Sequence, residues 1–105
     1  MRRELALPST FARIRSEPKF ARALLDEALT LFLNCEPEIA KLMLRDLVNA
    51  TMGFEALAVR IDKPSKSLRR MLSKSGNQTM ENLSAILVAM KEAMHVDIKV
   101  VVKVA

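Results

Sequence analysis

The run Phe54–Ser73, FEALAVRIDKPSKSLRRMLS, constrains the fold more than any other part of this 105-residue chain. It divides into two short amphipathic segments on either side of a tight turn. Leu57, Ala58 and Ile61 mark one segment; Leu68, Met71 and Leu72 mark the other. Spacings of three and four put each set on one face of a helix, so the pattern predicts helices over 54–61 and 64–72. The small Ala58 lets the second helix cross steeply over the first. Ser65, Lys66, Arg69 and Arg70 are then left pointing outward, as on a helix that lies in a DNA major groove. A helical hairpin with a solvated basic face fits the same pattern, and the spacing alone leaves both open.

Composition narrows the alternatives. A chain of this length makes one domain with a single modest core. Half of its residues are hydrophobic and only two are glycine, which predicts a compact, mostly helical body. Four phenylalanines without Trp or Tyr leave little to stack unpaired bases, which argues against single-strand binding. The single cysteine, Cys35, excludes an internal disulfide, and with one histidine, His95, soft ligands are too few for a zinc site. No metal or other cofactor is expected. The first residues lack the apolar run of a signal peptide and no stretch reaches membrane-spanning length, so a cytoplasmic protein without membrane contact is expected.

The net charge of +5 matters through its placement. Residues 1–22 are net basic and residues 23–58 net acidic. In residues 59–75, Arg60, Lys63, Lys66, Arg69, Arg70 and Lys74 face Asp62 alone. The second basic block thus coincides with the proposed groove helix, which points to a polyanionic partner. Arg70 can bond guanine O6 and N7 in parallel, and Lys66 can reach the same acceptors singly. Arg60, Lys63, Arg69 and Lys74 suit phosphates, which give affinity and register but carry no sequence information.

Elsewhere the helical period dominates. Ser16-Glu17-Pro18 and Glu36-Pro37-Glu38 read as helix starts. Phe20, Leu24, Ala28, Leu31 and Phe32 line the first of these helices; Ala40, Met43, Leu44 and Leu47 line the second, which ends near Gly53. Thr79 is placed to cap a last helix carrying Leu83, Ile86, Leu87, Met90 and Met94. The first sixteen residues show no clear period and read as a flexible basic arm, able to lie on phosphates, enter a minor groove or fold on another protein.

After residue 94 the period changes to two. Val96, Ile98, Val100, Val102 and Val104 alternate with Asp97, Lys99, Val101 and Lys103, which is a strand signature. No other segment matches it. A lone strand with a valine face seeks a partner. Antiparallel pairing with a second copy predicts a homodimer held by residues 95–104; docking as an added strand on another protein is the alternative. The organisation read from the sequence is therefore an arm over 1–16, a helical domain over 17–94 and a dimerisation strand over 95–105.

Leu57, Ala58, Ser67, Leu68, Met71, Leu72 and Ser73, followed by Gly76-Asn77 and the Leu83/Ile86/Leu87 helix, resemble lambda-repressor-like, Cro-type helix-turn-helix domains. More narrowly the chain is similar to HigA-like antitoxins, the antidote proteins of bacterial addiction modules. The resemblance covers about residues 20–95. It implies a mainly α, five-helix DNA-binding domain, here with one C-terminal strand pairing across a dimer. It further implies a dimer that represses its own operon at a palindromic operator on double-stranded DNA and sequesters a ribonuclease toxin. By position, Ser65, Lys66 and Arg70 fall where such proteins touch base edges, and Pro64, Ser73 and Lys74 fall near the backbone. Three positions depart from the pattern. Asp62 stands where a left-handed glycine is usual, Lys63-Pro64 replaces an apolar residue and a capping Ser or Thr, and Phe54 cannot donate to a phosphate. Alternative roles are a phage-type repressor without a toxin, or a toxin-neutralising module with little DNA binding. Catalysis is not expected: His95 has no carboxylate or second base near it in the sequence to work with.

Overall fold

The computed structural model describes residues 9–105, which are mainly helical. The elements are α1 (Thr10–Ser16), α2 (Pro18–Leu33), α3 (Pro37–Ala50), α4 (Gly53–Ile61), α5 (Ser65–Met71) and α6 (Met80–Met94). Local chemistry sets the boundaries. Pro18 and Pro37 stand in the first turns of α2 and α3, where the missing N–H costs nothing and the fixed φ is preorganised. Thr79 caps α6 as its sequence position suggests, its Oγ1 accepting from the Asn82 N–H at 3.1 Å. Ser16 does not cap α2. Its hydroxyl turns back to the Ala12 carbonyl at 2.9 Å, and Glu17 takes the cap position without a side-chain bond.

The first correction to the sequence reading is α1. Residues 10–16, assigned to a flexible arm, are helical, which makes six helices among the described residues where five were expected; residues 1–8, including Arg2 and Arg3, lie outside the described residues. Ser9 starts the helix by accepting from the Ala12 N–H at 3.1 Å. Ile14, only 4% exposed, ties it to the core. Arg13 lies 3.8 Å above the Phe20 ring and pairs with Glu17, so one of the arm's cations is spent within the fold. Seven residues give barely two turns, too few for a helical period to show.

Three helices end in the left-handed region without glycine. Cys35, Asp62 and His95 have φ of 61°, 56° and 57°. In each case the next N–H reaches back five residues: Glu36 to the Leu31 carbonyl at 2.9 Å, Lys63 to Ala58 at 3.1 Å, Val96 to Lys91 at 3.0 Å. These bonds satisfy carbonyls that a helix end otherwise orphans. The backbone cost, about 1–2 kcal/mol for an ordinary side chain, is eased for Asp by local hydrogen bonding.

One core joins all six helices. Leu44, Leu47 and Val48 of α3, Phe54 and Leu57 of α4, Leu68 and Leu72 around α5, and Ile86 and Met90 of α6 are fully or almost fully buried in it. On α2 the centre of the buried face is Ala21, Leu25 and Ala28; Phe20, Leu24 and Phe32 flank it and are half-buried. The face is displaced because α2 meets α1 and α3, and also the C-terminal tail.

That tail is the second correction. Residues 96–105 form no strand among the described residues. Val96 to Lys99 border Arg22, Leu25, Asp26 and Leu29, and Ile98 to Lys103 border the stretch from Asp26 to Asn34. The tail therefore runs along α2 in the same direction. The span from Arg22 to Asn34 is about 18 Å of helix. Seven steps of chain cover it at about 2.6 Å each, well beyond the about 1.5 Å rise of a helix and short of the about 3.3 Å of a full strand. The tail is drawn out but forms no ladder, because no described residue exchanges backbone hydrogen bonds with it beyond Val96. Val96 and Ile98 pack on the core, whereas Val100, Val102 and Val104 are exposed.

Glycine at Cys35 or His95 removes the left-handed penalty but loosens the unfolded chain, leaving a net gain of about 0.5–1 kcal/mol each. Calorimetry should show Tm rising by a few degrees for Cys35→Gly and for His95→Gly, and by less for Asp62→Gly. An unchanged or lower Tm in the first two would mean that these caps carry no strain.

Candidate nucleic-acid interface

The surface in question is built on the turn between α4 and α5. Asp62 takes the left-handed position that the sequence assigns to it, φ 56° and ψ 51°. The Lys63 N–H is used to close α4, so Lys63 belongs to the end of that helix. Pro64 then supplies the extended cap of α5, with φ −62° and ψ 139°, and the Leu68 N–H reaches its carbonyl at 3.2 Å. This shifts the start by one residue from the sequence reading, which began the helix at Pro64. Leu68 and Leu72 bury one side of α5 completely and Met71 half-buries beside them. Lys66, Arg69 and Arg70 are thereby turned to solvent, with Pro64 and Lys74 exposed at either end; Ser65, Lys63 and Ser73 are half-buried.

The cations are not equivalent. Arg60, on α4, is paired with Glu92 of α6. Arg69 pairs with Glu55 at 3.6 Å and its guanidinium lies 5.0 Å from the centre of the Phe54 ring. Lys63, Lys66, Arg70 and Lys74 form no ion pair with another described residue. Lys66 and Arg70, four residues apart, share one face of α5. Two of the residues assigned to phosphates are thus engaged internally. Ser73 is engaged too: its hydroxyl donates to the Arg70 carbonyl at 2.7 Å.

The loop after α5 holds a feature that the sequence reading missed. Lys41 of α3 is only 5% exposed, and its Nζ donates to the Gly76 carbonyl at 2.8 Å and to the Lys74 carbonyl at 3.4 Å. A buried ammonium is costly unless bonded, and here two carbonyls receive it. Gly76 lets this loop fold closely against the end of α5, since a Cβ there would fall 1.7 Å from the Arg70 oxygen. Lys41 thereby ties the segment carrying Lys74 to the scaffold. The sign of it in the sequence is a lysine in register with Leu44 and Val48, on the apolar stripe of α3.

Neither family models, curated proteins nor solved structures gave a match to this chain. Among the described residues no group of three or more His, Cys, Asp and Glu gathers in metal-binding geometry, and no helix is long and apolar enough to cross a membrane. His95 is exposed at the left-handed end of α6.

Lys41→Met removes the donor and strands the carbonyl of the buried Gly76, a loss of about 1–3 kcal/mol. Denaturant unfolding should show that loss, and amide exchange should quicken over residues 73–79 more than in α2. Gly76→Ala should perturb the same loop more strongly. Uniform acceleration across the chain in Lys41→Met would show that the lysine does not hold this loop in particular.

Proposed function

We propose that this chain is a sequence-specific, double-stranded DNA-binding regulator, a non-catalytic helix-turn-helix protein that binds a palindromic operator as a homodimer. In this reading α4 is the scaffold helix and α5 the helix that enters the major groove. The supporting observation is the pair Lys66 and Arg70, exposed on one face of a helix whose other face is fixed by Leu68 and Leu72. Arg70 and Lys66 read base edges with Ser65 beside them; Lys63, Pro64 and Lys74 lie toward the backbone. Arg60 and Arg69 can join them, because exposed ion pairs are worth only about 0–1 kcal/mol and phosphates compete for them cheaply. Ser73 acts by shaping the end of α5, its hydroxyl being committed.

The narrower role, antitoxin and autorepressor of an addiction module with a ribonuclease toxin as partner, rests on the resemblance of Leu57–Ser73 to HigA-like proteins. It places the protein in the cytoplasm, on the nucleoid when bound. The dimer is held by the tail, through the face of Val96, Ile98, Val100, Val102 and Val104.

Selection from a randomised duplex pool, followed by gel retardation at several salt concentrations, tests the reading. A palindromic consensus bound far more tightly than random duplex is the expected result; equal affinity for both overturns specific recognition. Arg70→Ala should relax preference at one position per half-site, with a loss of about 1–3 kcal/mol there. Lys74→Ala should weaken binding to all sequences alike and lower the salt slope by about one.

A further inference from the structure

The tail's charges and exposure define how two copies would pair. Residues 97–105 make no backbone hydrogen bond with other described residues, so both edges of the extended tail are open. Burial fades along its even-numbered face: Val96 and Ile98 pack on the core, but Val100 is 62% exposed, Val102 92% and Val104 101%. Beside them the groove between tail and α2 has a volume of about 540 Å³ and is bordered by Leu29 and Leu33. The half of the stripe distal to Ile98 is therefore apolar surface without cover from the other described residues.

Antiparallel pairing about a two-fold axis keeps even residues opposite even residues, and the charges choose among axes. In-register parallel pairing sets Asp97 beside Asp97 and Lys99 beside Lys99. An antiparallel axis on residue 99 opposes Lys99 to its own copy. An axis on residue 101 opposes Lys99 to Lys103 twice. Like charges directly opposite destabilise a pair. Axes on 98 or 102 avoid this but shorten the paired run to 96–100 or 99–105. An axis on Val100 pairs the whole of 96–104 and sets Asp97 against Lys103 at both ends. On the apolar face it stacks Val96 on Val104, Ile98 on Val102 and Val100 on itself. Asp97 is available for this: its side chain is almost fully exposed and its contact with Lys91 is long, 3.9 Å.

We infer that the partner of the tail is a second copy of this chain, joined in one register, antiparallel with the two-fold axis at Val100. The inference rests on the homodimer part of the reading above and does not require DNA binding. In this dimer Val102 and Val104 of each chain, bare in the monomer, lie over the partner's half of the ribbon, so each copy completes the other's apolar face.

The test uses full-length protein with Cys35→Ser, so that the single exposed native thiol does not interfere. Val100→Cys, Ile98→Cys and Val102→Cys are made singly in that background and oxidised mildly. Directly opposite residues have Cα separations near 4.5–5.5 Å, inside the range a disulfide spans. Val100→Cys should therefore give a disulfide-linked dimer. Neither of the other two should link to itself, but a mixture of Ile98→Cys and Val102→Cys chains should. Sedimentation supplies the charge arm: Asp97→Lys should raise the dimer dissociation constant about tenfold, and Asp97→Lys/Lys103→Asp should restore it. Self-linking of Ile98→Cys or Val102→Cys, or failure of the double swap to rescue, overturns the register while leaving a dimer. A monomer at all concentrations overturns the homodimer reading itself, and a dimer that persists in a chain ending at Lys99 overturns the tail as its seam. Gel retardation of the same samples reports DNA binding separately.

Discussion

A helix of seven residues does not persist in water alone, because nucleation costs more than so few hydrogen bonds return. α5 exists because Leu68 and Leu72 are driven into the core against α4, and that burial fixes the rotation of the helix about its axis. The outward aim of Lys66 and Arg70 is a consequence of two leucines. The turn before α5 and the loop after it fix its ends, through the left-handed Asp62 on one side and the Lys41 ammonium on the other. Side-chain chemistry at the surface is thus set almost wholly by apolar contacts and by carbonyl groups beneath it.

The fold was legible where periodicity had room to repeat. The stripes of α3, α4 and α6, the Thr79 cap, the prolines opening α2 and α3 and the left-handed Asp62 all follow from residue type and spacing. α1 was not legible, since seven residues with one buried side chain, Ile14, leave no period to read. The tail shows the limit of the period-two rule. Alternation establishes that 96–104 has a strand's two faces, but a ladder also needs a neighbour, which a single chain's pattern cannot supply. The basic surface was legible in composition and only partly in detail. Sequence spacing showed which cations share the neighbourhood of α5. It did not show that Glu92 and Glu55, distant in sequence from Arg60 and Arg69, would come to lie against them, or that Lys41 would be buried.

Those pairings sort the cations by freedom. Arg60 and Arg69 lie on the α4 and α6 side with a carboxylate each, whereas Lys66 and Arg70 are exposed and have no carboxylate partner among the described residues. Phe54 deepens the distinction: where a polar side chain would face outward at the start of α4, a buried ring supports the Arg69 guanidinium. At that end α4 contributes packing, and the exposed cations are those of α5.

The bracketing of Val100-Val101-Val102 by Lys99 and Lys103 has a consequence for solubility. A short β-branched run on an open edge is the kind of segment that seeds fibrils, in which identical strands stack in register about every 4.8 Å. In such a stack each lysine would sit directly above its own copy, and columns of unneutralised ammonium groups would grow with every added molecule. The two lysines act as gatekeepers, making endless addition costly on a surface that is otherwise sticky.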